Sequence, residues 1–140
     1  MKNKCFFVLL LALLALTGCS NKVALSGKVV YSDDGSPLTT GTVSLETDTF
    51  FARGNLKEDG TFIVGSLKEK DGLPPGRYRV AVSGATKVLG YFESTPMLEP
   101  LIDPKYSDSR TSGLTIDIQQ STRDFVIEVD RYVTPARGRR

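Results

Sequence analysis

Pro74-Pro75-Gly76-Arg77-Tyr78-Arg79-Val80-Ala81-Val82-Ser83 is the stretch on which the fold turns. Two prolines and a glycine end whatever precedes them. From there Tyr78, Val80 and Val82 fall on one side of the chain, with Arg77, Arg79, Ala81 and Ser83 opposite. A period of two is the mark of a half-buried strand, and a tyrosine placed just after a proline-fixed turn is placed to fill a core. The same alternation recurs to either side. Leu25, Gly27, Val29 and Tyr31 share a face against Ser26 and Lys28, and Val43 pairs with Leu45 and Phe62 with Val64. Leu114, Ile116 and Ile118 alternate with Thr115, Asp117 and Gln119, and Phe125, Ile127 and Val129 with Val126, Glu128 and Asp130; a weaker strand covers residues 52–56. About seven short strands with no 3.6-residue stripe predict an all-β sandwich.

Glycine-bearing turns separate these strands: Asp33-Asp34-Gly35, Glu58-Asp59-Gly60 and Lys70-Asp71-Gly72. Each puts glycine where a positive φ is cheap. Residues 84–113 break the rhythm, with Pro96, Pro100 and Pro104 among them. A stretch that long without strand signal reads as a functional loop, partly ordered by Leu98, Leu101, Ile102 and Tyr106 packing on the sandwich. Tyr91, Phe92, Met97 and Tyr106 are its candidate contacts for a ligand or partner.

The N-terminus has a different character. Lys2 and Lys4 precede an apolar run from Phe6 to Leu16, too short to span a bilayer and built like a secretory leader. Leu16-Thr17-Gly18-Cys19 follows at once and resembles the lipobox of bacterial lipoproteins. That resemblance implies cleavage between Gly18 and Cys19, lipidation of Cys19, and attachment to the cell envelope facing away from the cytoplasm. By the same resemblance, the lack of Asp after the cysteine implies the outer membrane if the source has two membranes. The chain then divides into a leader (1–18), a lipidated cysteine with a short tether (19–22), a sandwich (23–133) and a basic, disordered tail (134–140). Three residues of tether, at most ~10 Å, would hold one end of the sandwich at the membrane and leave the far loops free for a partner.

Composition excludes more than it assigns. Lys2 and Lys4 leave with the leader, so 16 of the 18 basic residues remain to balance 16 acidic ones. No overall field would recruit nucleic acid. Cys5 leaves too and Cys19 is consumed, so no disulfide is expected in the exported domain. The absence of histidine removes imidazole-based triads, histidine-ligated zinc and the commonest general base. Asp33, Asp34, Asp59 and Asp71 fit turns better than a calcium loop, and Glu93, Glu99 and Asp103 read as solvated loop acids. Arg137, Arg139 and Arg140 read as a solvated tail. No metal, cofactor or catalytic residue is expected.

Leu25-Ser26-Gly27-Lys28-Val29, Asp34-Gly35-Ser36-Pro37-Leu38, Gly41-Thr42-Val43, Glu58-Asp59-Gly60-Thr61-Phe62 and Pro75-Gly76-Arg77-Tyr78-Arg79-Val80 together resemble the carboxypeptidase regulatory-like domain, a transthyretin-like or Ig-like sandwich. Pro104-Lys105-Tyr106 and Thr111-Ser112-Gly113-Leu114 resemble the later part of small bacterial lipoproteins built on it. The resemblance implies a non-catalytic binding or structural module whose partners are the membrane, through Cys19, and another envelope protein or a glycan. Its alternatives are a passive envelope spacer, or a histidine-free hydrolase related to transthyretin-like enzymes.

Overall fold

The computed structural model describes residues 21–68 and 70–134. The expected leader, the expected cleavage between Gly18 and Cys19, the expected lipidation of Cys19 and the arginines of the tail fall on residues outside these. The described chain is all-β, with nine strands where the periodicity predicts about seven. β1 (Leu25–Tyr31) lies between β4 (Thr61–Ile63) and β9 (Thr122–Val129), antiparallel to the first and parallel to the second. The second sheet runs β3 (Phe51–Asn55), β2 (Thr42–Glu46), β5 (Gly76–Ser83), β8 (Leu114–Ile118), antiparallel throughout.

The alternating side chains do what their period predicts. Leu25, Val29, Phe62, Ile127 and Val129 of one sheet and Val43, Leu45, Tyr78, Val80, Val82, Ile116 and Ile118 of the other form a single buried cluster. Tyr78 and Phe62 are its largest fully buried side chains. Backbone bonds of 3.0 Å in each direction between Arg53 and Gly65 join the two sheets along the β3/β4 side.

The two additional strands correct the reading of residues 84–113. β6 (Thr86–Phe92) and β7 (Thr95–Pro100) form a two-stranded ribbon, and a 3₁₀ turn (Pro104–Ser107) follows. Leu98 does not pack on the sandwich but is exposed on the ribbon, whereas Ile102 and Tyr106 are buried and Leu101 is partly so.

The two ends of the sandwich differ. At the Leu25 end the chain arrives from Asn21, with Val23 and Leu73 exchanging backbone bonds of 2.9 Å. At the Tyr31 end, about 20 Å away at ~3.3 Å per residue, the ribbon departs. Leu101 N–H donates to Ala85 C=O (2.9 Å), Tyr132 N–H to Leu101 C=O (3.1 Å), and Ile102 bridges Arg131.

Candidate partner-binding site

The ribbon is apolar on both faces. Its register pairs Val88 with Leu98 and Tyr91 with Pro96 on one face, and Phe92 with Thr95, Gly90 with Met97 and Lys87 with Glu99 on the other, because directly opposed residues share a side. Leu89 sits in a bulge between Val88 and Gly90. Tyr91 and Phe92 are 71% and 66% exposed, and Val88, Leu89, Met97 and Leu98 are each about half exposed or more. Such a concentration of large apolar side chains in water is more than single surface hydrophobics scattered over a protein. Two-thirds of it lies in five consecutive positions of one strand.

The free edges of the ribbon are poor templates for another strand. Pro96 and Pro100 have the same parity along β7 and remove two donors from it, while the bulge disturbs β6. Proline and bulges are how exposed edges avoid pairing with other chains. The ribbon therefore offers its side chains rather than its edges. The tip is a two-residue turn with Glu93 and Ser94 both at positive φ (46° and 69°), and Lys87 Nζ meets the Glu99 carboxylate at 2.6 Å across the strands.

Tyr106 is the one candidate contact that the structure removes. It is only 5% exposed and its hydroxyl donates to Asp130 Oδ2 at 2.8 Å. The same carboxylate takes Lys105 Nζ at 2.8 Å and, through Oδ1, the Ser32 hydroxyl at 2.8 Å. Those donors, Lys105 first, hold the Asp130 carboxyl well below its ordinary range. Beside it Arg131 stacks 3.7 Å above the Tyr31 ring and reaches Asp33 and Asp34, each at 2.8 Å. Ser36, then Arg131, bring Asp34 down to about 2. Asp130 and Arg131 therefore tie the ends of β1 and β9 to the segment at the foot of the ribbon. Nothing in the strand pattern singles them out, because the partners are 24 or more residues distant in sequence. A depression of about 210 Å³ lined by Ala85, Thr86, Pro100 and Ile102 lies at the same foot.

The carboxylates considered from sequence take separate structural duties. Asp34 caps Ser36 and Asp59 caps Thr61, each accepting both the backbone N–H and the hydroxyl of the residue two positions on. Asp103 accepts the Lys105 N–H at 2.9 Å, Glu99 pairs with Lys87, and Glu93 forms the turn. These are the Asx caps that favour aspartate in turns.

These caps, with the Arg110 contact of Asp108 and the Lys105 contact of Asp130, give the pH response its sign. Asp34, Asp59, Asp71, Asp108 and Asp130 all have carboxyl groups lowered in the folded chain. Their contribution is present above the unfolded value, 3.8, and fades as pH falls through it toward the folded values. With no histidine to titrate near neutrality, the urea midpoint should be level from about pH 8 to about 5 and decline below about 4. A midpoint that moves between pH 6 and 8 would contradict this assignment.

No family model matches the chain, and neither the curated proteins nor the solved structures give a match.

Proposed function

We propose that the protein is a lipid-anchored cell-envelope module, non-catalytic, that recognises another envelope component through its β6–β7 ribbon. The reading rests on one observation above the others: the ribbon exposes Val88, Leu89, Tyr91, Phe92, Met97 and Leu98 at the end of the sandwich opposite the one from which the chain runs toward Cys19. An anchor at one end and a sticky, edge-protected ribbon at the other make a device for holding a partner away from the membrane surface. The leader and Leu16-Thr17-Gly18-Cys19 support the anchor. The resemblance to carboxypeptidase regulatory-like domains supports a binding or structural role.

The test replaces residues 87–99 by Asn-Gly, which suits a tight turn between Thr86 and Pro100. A deletion running on through residue 107 would also remove the buried Ile102 and Tyr106, so the change is confined to the ribbon. The expected result is an unchanged urea midpoint and loss of the envelope components captured by the intact lipoprotein from detergent-solubilised membranes. Capture of the same components by the shortened chain would overturn the site. Capture of nothing by either chain would favour the passive spacer.

A further inference from the structure

We propose that Arg53, Asn55, Ser66, Leu67 and Lys68 form a second membrane contact, a shallow site for the head group of an anionic phospholipid with Leu67 dipping among the lipids. The proposal rests on the anchoring of Cys19, because the anchor brings this flank of the sandwich to the bilayer.

Leu67 is 91% exposed, more than any other large apolar side chain among the described residues. Its position is held rather than loose. The Asp71 carboxylate accepts the Ser66 N–H at 2.7 Å, the Ser66 hydroxyl at 3.0 Å and the Leu67 N–H at 3.0 Å. Beside Leu67 a depression of about 210 Å³ is lined by Arg53, Asn55, Ser66 and Lys68. Neither Arg53 nor Lys68 makes an ion pair with a described residue. Asn55 accepts the Thr42 hydroxyl through its oxygen at 3.0 Å, which leaves its amide N–H groups for an incoming oxygen. Two cations, an amide donor and a projecting leucine suit a phosphodiester with an acyl chain behind it.

The path of the chain supplies the occupant. Lys22 Nζ reaches Asp71 at 3.7 Å, and Val23 and Leu73 pair through their backbones. The carboxylate that positions Leu67 is thus in contact with a residue three positions from Cys19, at most ~10 Å of chain. Lys70 is exposed and adds positive charge, Lys22 is paired with Asp71, and the local sequence keeps a positive excess, with Lys22, Arg53, Lys68 and Lys70 against Glu69 and Asp71. Each basic residue near an anionic surface raises affinity roughly fivefold, too little to anchor the protein alone but enough to orient one already tethered.

The chain contains no tryptophan, so Leu67→Trp creates a single fluorescent reporter. The full lipoprotein carrying it is reconstituted into phosphatidylcholine vesicles with or without phosphatidylglycerol. The expected result is a blue-shifted emission, quenched by brominated acyl chains, in the anionic vesicles only. Adding Arg53→Glu and Lys68→Glu should abolish the shift while the protein stays vesicle-bound. A tryptophan that remains water-exposed on vesicle-bound protein overturns the inference and leaves the anchor standing. Absence of acyl labelling at Cys19 instead overturns the anchor, and the Cys19→Ser chain then decides the head-group site alone. Its affinity for anionic vesicles should fall at least about tenfold with the two charge reversals, and equal affinity would overturn the site. Full displacement by inorganic phosphate would identify a free-phosphate site and overturn the lipid assignment.

Discussion

Gly27→Ala is expected to destabilise the sandwich by about 3 kcal/mol or more, within the upper range for overpacking. Inside a strand the same substitution ordinarily favours the folded chain by roughly 0.5–1 kcal/mol, because glycine has more backbone freedom to lose. Space reverses the sign. A Cβ on Gly27 would run into the Phe125 carbonyl oxygen and meet Phe62 Cζ at 3.0 Å. The first obstacle is backbone, and the second is the buried ring of Phe62. Relief would require parting β1, the central strand of the three-stranded sheet, from its parallel edge neighbour β9. That pair is already irregular here: the register shifts between Leu25 and Gly27, and Asp124 on β9 takes a φ of 59°. Urea titration of the two chains measures the effect. A midpoint for the alanine chain equal to or above that of the parent would show that β9 can retreat without loss.

Seven of the nine strands were legible in the sequence, since each of those seven has one face on the core and therefore alternates. β6 and β7 lack that imprint for a physical reason. Val88, Leu89, Tyr91 and Phe92 occupy both parities because neither face of the ribbon meets the core, and a bulge shifts the phase halfway. Pro96 and Pro100 argue against a strand in any sequence reading, yet on a free edge they are harmless. The turn offers no Asn-Gly signal either, being Glu93-Ser94. Exposure of Tyr91, Phe92 and Met97 was readable from their company. The packing of Tyr106 on the sandwich was expected beside its candidacy as a contact; its bond to Asp130 was not legible, because only the completed fold brings the two within 2.8 Å. The same holds for Leu67, whose setting depends on Asp71 and on the arrival of Lys22 from the other side.

The proposed division of labour between the two ends has a structural requirement: the load on the ribbon must reach the anchor through a sandwich that does not yield. The ribbon's foot is joined to β1 and β9 by the Asp130 and Arg131 contacts and by backbone bonds from Leu101 and Asp103. β1 then carries the chain the full length of the sandwich to the anchored end. Parallel pairing with β9 places the two strands side by side over six registered positions, so tension along one is shared by the other.

Tyr78→Ala should cost about 3–5 kcal/mol, the range for removing a buried aromatic, against a total stability of about 5–15 kcal/mol for a domain. The ring is 2% exposed, and the Phe50 ring meets it edge-on at 6.2 Å and 74°. Its hydroxyl donates to the Pro74 carbonyl at 2.6 Å, and burial pushes the hydroxyl's pKa up, so it stays a donor. One side chain therefore fills the core beneath the start of β5 and fastens the proline turn that begins the strand. Two substitutions separate those duties. Tyr78→Phe keeps the ring and loses the bond; Pro74 is exposed, so water can take over its carbonyl and the loss should be only about 1 kcal/mol. Tyr78→Ala loses ring and bond together and leaves a cavity between Phe50 and the β5 face. Urea midpoints for the two chains should then differ from the parent in a ratio of roughly one to four, as those two ranges imply. A phenylalanine chain as unstable as the alanine one would mean that the hydroxyl, through the turn at Pro74, governs the strand, and that the packing account of this core is wrong.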